Sequence, residues 1–149
     1  MSSTMPTRLL FLPDSPELRF LPEGPYALPE GKFSWVAIQH GATGTTGSLC
    51  IYDLTTDVNH VFSLPGRPGF AFPTQDRHKF VVGMEHDLGI FDCDTLDWSP
   101  FCTGVDSDVV GTIVNDGVVF PQGLIFGTKD LQFAEKKAGL YLWRASDQQ

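Results

Sequence analysis

Three five-residue segments repeat one pattern: Leu49-Cys50-Ile51-Tyr52-Asp53, Leu88-Gly89-Ile90-Phe91-Asp92 and Leu140-Tyr141-Leu142-Trp143-Arg144. Each is a short apolar run with an aromatic near its end, at Tyr52, Phe91 and Trp143. A second pattern runs in phase with the first. Ala27-Leu28-Pro29-Glu30-Gly31-Lys32-Phe33, then Ala71-Phe72-Pro73 through Lys79-Phe80, then Val119-Phe120-Pro121-Gln122-Gly123-Leu124-Ile125 share one plan. An apolar strand end meets a proline, a polar turn follows, and a new apolar strand begins. Proline cannot donate to a sheet ladder, so Pro29, Pro73 and Pro121 belong at strand ends.

Such a repeat, with about four short strands in each period of roughly 40–50 residues, is the pattern of a β-propeller blade. The predicted fold class is therefore all-β, with about three blades at 21–64, 67–104 and 110–149. The outer strands of the first two fall at Val58–Leu64 and Asp97–Cys102; the third blade shows no outer strand. Arg8–Leu12 reads as one isolated strand before a proline-rich turn at Pro13–Pro16. No stretch of ten or more residues has helical periodicity.

The stretch Thr112–Thr128, TIVNDGVVFPQGLIFGT, carries the densest information. Its apolar runs Gly117–Phe120 and Leu124–Phe126 flank a turn at Pro121-Gln122-Gly123 and predict a hairpin. An Asn-Gly or Asp-Gly pair often marks such a turn, but here the reversal already has its place. Asn115 and Asp116 are thus polar groups aimed somewhere specific, or a bulge at a strand end.

Composition narrows the function classes. A net charge of −8 opposes nucleic-acid binding, which needs a surplus of Lys and Arg. No apolar run reaches the ~20 residues of a membrane span, and the N-terminal apolar piece Leu9–Leu12 lacks the length of a signal-peptide core. Cys50, Cys93 and Cys102 are odd in number and not in metal-binding spacing, which fits buried thiols of a cytoplasmic protein.

The Asn-Asp-Gly block, its proline-bearing turn and the aromatic-Gly-Thr that follows resemble the gluconolactonase, senescence-marker-protein and regucalcin-like family. Leu21-Pro22-Glu23-Gly24-Pro25 is similar to that family's first-blade motif, and the resemblance spans roughly residues 20–144. It implies a six-bladed ring, of which this chain holds three blades, and a metal-dependent sugar-lactone hydrolase. It implies a divalent metal (calcium, zinc or magnesium) on Glu23, and a sugar lactone contacted by Asn115, with Asp116 beside it. Hard cations of this kind take carboxylate and carbonyl oxygens.

Two departures accompany the resemblance. The family's other metal ligands lie in later blades, and Ile113 stands where a substrate-contacting Arg is common. The remaining ring would come from further blades or from a second copy in a homodimer. The rival expectation is a non-catalytic half-propeller that serves binding or assembly.

Other motifs carry less chemistry. His40, His60, His78 and His86 follow no ligand spacing. Glu85-His86-Asp87 could bind a metal weakly but reads as a polar hairpin turn. Gly41–Gly47, GATGTTG, lacks the Lys and the following helix of a phosphate loop. Ser48 and Ser63 have no nucleophile-elbow context.

Overall fold

Short apolar runs punctuated by proline and glycine fold here as antiparallel meanders. The computed structural model describes residues 7–147. The first sheet runs in chain order through β1 (Pro22–Leu28), β2 (Lys32–Ala37), β3 (Ser48–Asp53) and β4 (Val58–Ser63). The second contains β5 (Pro68–Pro73), β6 (Lys79–Met84), β7 (Asp87–Asp92) and β8 (Trp98–Cys102). The third has three strands, β9 (Thr112–Phe120), β10 (Gly123–Asp130) and β11 (Leu140–Arg144).

The three segments with the repeated aromatic pattern are the third strands of successive sheets, in β3, β7 and β11. The likeness continues into the turns. Asp53 ends β3 by accepting hydrogen bonds from the N–H groups of Thr55 and Thr56, and Asp92 ends β7 by accepting those of Asp94 and Thr95. Lys32 approaches Asp53 from the neighbouring strand, and Lys79 approaches Asp92 in the same way.

Sheet packing follows from burial. Val36, Ile38 and Leu49 of the first sheet meet Ala71, Phe80, Val82 and Phe91 of the second, with Cys93 packed against this seam. Phe70 and Leu88 of the second sheet meet Val114, Leu124 and Phe126 of the third, and Cys102 borders that seam. The innermost strands β1, β5 and β9 lie side by side. The chain is a partial β-propeller.

Loop 103–111 is anchored by Asp106, which is buried and accepts hydrogen bonds from Thr128 Oγ1 at 2.6 Å and from the Tyr141 hydroxyl. Burial opposes this carboxylate, but those hydrogen bonds outweigh it and hold its pKa below the ordinary range.

Two expectations change. Arg8–Leu12 forms no strand. Instead Phe11 stacks on Tyr52 at 4.2 Å and meets Trp35 edge-on at 6.0 Å, so the segment covers the outward face of the first sheet together with Leu18 from a single 3-10 turn, Pro16–Arg19. Burying an aromatic ring there outweighs the local β preference of the run. The hairpin turn after β9 is also shorter than read: Gly123 already pairs with Phe120, leaving Pro121 and Gln122 as the reversal.

Candidate functional site

One rim of the molecule gathers the starts of β1, β5 and β9 with the ends of β2, β6 and β10. Each inner strand is bulged there. In β1, Glu23 pairs with Val36 and Tyr26 with Ser34, so Gly24 and Pro25 together face Trp35. Gly24 takes φ 61°, a conformation that glycine adopts without steric cost. In β5 the extra residue is Gly69, between the pairs Pro68–Met84 and Phe70–Gly83. In β9, Asn115 and Asp116 together face Gly127, between the pairs Val114–Thr128 and Gly117–Phe126. A bulge re-aims the side chains beside it, and such irregularities concentrate at rims and sites.

Glu23 is the second residue of β1 and is exposed. Asn115 is half-buried and Asp116 exposed in β9. β5 lies between β1 and β9 and contacts both. Tyr26 of β1 meets Phe72 of β5 edge-on at 5.6 Å, and three residues back on each strand stand Glu23 and Gly69. Gly69 in turn abuts the main chain at Asn115, so closely that a Cβ on it would overlap the Asn115 carbonyl oxygen. Glu23 and Asn115 therefore lie on the two inner strands that flank β5. The Asp116 carboxylate accepts a hydrogen bond from the Gly117 N–H at 2.8 Å, which turns it to its own backbone.

The rim also holds an ion pair that the sequence reading left out. Arg67 Nε and Nη2 each donate to Glu85 at 2.8 Å, and the Arg67 N–H does the same. Glu85 sits in the β6–β7 turn at φ 51°, its N–H donating to the Arg67 carbonyl, while its own carbonyl accepts from Val114 N–H. The guanidinium's pKa is raised, chiefly by the bond to Glu85. His86 is occupied as well, its Nδ1 lying 2.7 Å from the Val105 carbonyl oxygen.

Lys129 is the second addition. It is half-buried near the end of β10, opposite Ile113, with Nζ 5.5 Å from the centre of the Phe133 ring. Desolvation pulls its pKa below the ordinary lysine value; the Glu23 carboxylate opposes this and the Arg67 guanidinium adds to it. Glu23 and Arg67 thus both contribute to the field at Lys129.

The donor set of this chain does not fit a divalent cation by itself. Among the described residues no three His, Cys, Asp or Glu side chains gather around one point. Glu85 is committed to Arg67, and Asp116 is held at its own backbone.

Comparison with known proteins places these features in context. The sequence matches the family described as SMP-30/Gluconolactonase/LRE-like region over residues 21–149. No curated protein is a significant match. Among solved structures, a calcium-binding regucalcin from Agrobacterium tumefaciens superposes with a TM-score of 0.69 at 24% identity, covering 83% of this chain and 40% of that one. A luciferin-regenerating enzyme gives 0.69 at 18% identity, covering 86% and 43%. The extracellular domain of a hybrid two-component system from B. thetaiotaomicron gives 0.57 at 18% identity, covering 86% and 16%. The chain thus spans less than half the length of each of these structures.

Proposed function

The chain belongs to the SMP-30/gluconolactonase/LRE-like family, and on that footing we propose that it builds part of the mouth of a sugar-lactone hydrolase of the gluconolactonase type. The observation that carries this reading is the rim itself. Three inner strands are each bulged at one end, with Glu23 beside the bulge of β1 and Asn115 within that of β9. Asn115 offers a carboxamide that can both donate to and accept from a sugar hydroxyl. Glu23 offers a carboxylate to a divalent cation, calcium, zinc or magnesium, whose further oxygen ligands come from sheets beyond those described. The three free thiols support a reducing, cytoplasmic setting. No described helix is long and apolar enough to cross a membrane.

A chimera tests this reading directly. The chain is followed by the part of the Agrobacterium regucalcin structure that it does not cover, and hydrolysis of gluconolactone is measured with calcium, zinc and magnesium. The chimera is expected to hydrolyse the lactone, Glu23→Gln to abolish the activity, and the 149-residue chain alone to stay at background. Turnover by the chain alone, or a folded chimera indifferent to Glu23→Gln, overturns the reading.

The third sheet favours a second reading. Its outward face aligns Val118, Ile125 and Leu142 across the three strands, and Val118 and Leu142 are 54% and 49% exposed. A contiguous exposed apolar face is an assembly surface. On this reading the chain is a non-catalytic module that docks further sheets of the same fold, or a second copy of itself.

A further inference from the structure

A cleft of about 540 Å3 lies between the first two sheets, where β1 and β5 end and β2 and β6 begin, at the opposite end of those strands from the rim. Its size falls within the ~300–1,000 Å3 of small-molecule sites. Leu28, Ile51, Phe62 and Pro73 line it with apolar surface. Its two carboxylates are each taken by a neighbour: Glu30 faces Lys32 at 3.6 Å, and Asp94 faces the His78 ring at 3.1 Å. Lys32 is shared further with Asp53 at 3.9 Å.

Arg77 is the cation of this cleft that no carboxylate neutralises among the described residues. Its Nε donates to His78 Nε2 at 3.2 Å. Because Nε2 accepts, the proton of the neutral ring sits on Nδ1 and is donated to Asp94. Asp94, His78 and Arg77 thus form a chain that fixes one edge of the guanidinium and leaves its two Nη groups free. The turn beneath is fixed as well. The His78 N–H donates to the Asp76 carboxylate at 3.1 Å, the Thr74 hydroxyl to the Asp76 carbonyl at 2.9 Å, and the Thr74 N–H to the Lys79 carbonyl.

From this geometry we propose that the cleft binds a small organic carboxylate carried on an apolar body. The free Nη groups of Arg77 match the two oxygens of a planar carboxylate, and a fork held in place loses less freedom on binding than a loose one. The apolar body lies against Ile51 and Phe62, so charge and apolar surface are recognised together. His78 acts as a positioning residue for Arg77. The site is independent of the reading of the rim.

The experiment follows amide chemical shifts of the isotope-labelled chain during titration with benzoate, with benzyl alcohol and inorganic phosphate as comparisons. Arg77 and His78 are exposed, so Arg77→Gln and His78→Leu leave the core intact, and circular dichroism confirms the fold of each. Benzoate is expected to give saturable shifts centred on Ile51, Phe62 and Gln75–His78. Benzyl alcohol, which lacks the charge, and phosphate, which lacks the apolar body, are each expected to bind about tenfold more weakly or worse. Arg77→Gln is expected to reduce benzoate to the affinity of benzyl alcohol. His78→Leu is expected to weaken benzoate while leaving benzyl alcohol as it was, a split that a merely structural role would not produce. The absence of saturable shifts, shifts centred elsewhere, phosphate bound as tightly as benzoate, or an Arg77→Gln variant that binds benzoate like the parent overturns the proposal. A His78→Leu variant that binds benzoate like the parent overturns the positioning role.

Discussion

Asp130 illustrates how much a single carboxylate can organise at the end of a strand. Backbone N–H groups of Glu135 and Ala134 are the main cause that lowers its pKa to about 2, with Gln132 and Lys137 assisting. An unperturbed aspartate titrates near ~3.9. Between those two values the unfolded chain binds a proton that the folded chain does not, so acidification favours unfolding. The stabilisation from Asp130 is complete above about pH 4 and is lost as the pH falls towards 2. Thermal melting followed by circular dichroism across this range is expected to show a falling midpoint. Asp130→Asn should lower the midpoint at pH 7 and flatten that part of the acid slope; an unchanged slope in the variant refutes the assignment. None of this is legible from Lys129-Asp130-Leu131-Gln132 alone, because the donors are backbone groups ordered by a loop whose course no short pattern specifies.

At the scale of elements, the sequence was most informative where one physical rule acted alone. Alternating apolar residues ending at Pro73 and the Pro121-Gln122 reversal located β5 and the β9–β10 hairpin, because proline leaves few alternatives. The rim was less legible. Asn115-Asp116 admitted both a functional and a bulge reading, and the structure makes them a bulge that also aims the strand, which only the register with Gly127 decides. Arg8–Leu12 had the composition of a strand but found an aromatic face to cover. Lys129 and the Arg67–Glu85 pair went unread because their partners are 106, 62 and 18 positions away in sequence: Glu23 to Lys129, Arg67 to Lys129, and Arg67 to Glu85.

Gly69 shows what the packing of inner strands demands. A side chain there would overlap the carbonyl oxygens of Asn115 and Val114, which are main-chain atoms and cannot swing away. Gly69→Ala is therefore expected to cost about 1–3 kcal/mol, the range for overpacking, as a lower urea midpoint with an unchanged slope. A substitution at no cost would mean that β5 and β9 lie farther apart than described.

As a whole, the molecule is three sheets joined by seams, and the seams differ in kind. The first and second sheets share an apolar core, as do the second and third. The outward face of the first sheet is closed only by an irregular segment through Phe11 and Leu18. Loss of one seam therefore need not take the others with it, and regions with fewer buried contacts open at lower free energy.

Each seam holds one thiol. Cys50 lies beneath the N-terminal segment, Cys93 borders the first core and Cys102 the second. Burial raises the pKa of all three, to about 12 for Cys50 and Cys93, so the reactive thiolate is scarce while the seams are closed. The rate at which each is alkylated then becomes a clock for the opening of its own seam. Phe11→Ala should speed the labelling of Cys50, read by mass spectrometry, and leave Cys93 and Cys102 at their former rates. Equal acceleration at all three would mean that the molecule opens only as one piece. Three cysteines that form no disulfide thus give the chain an internal record of the order in which its parts come apart.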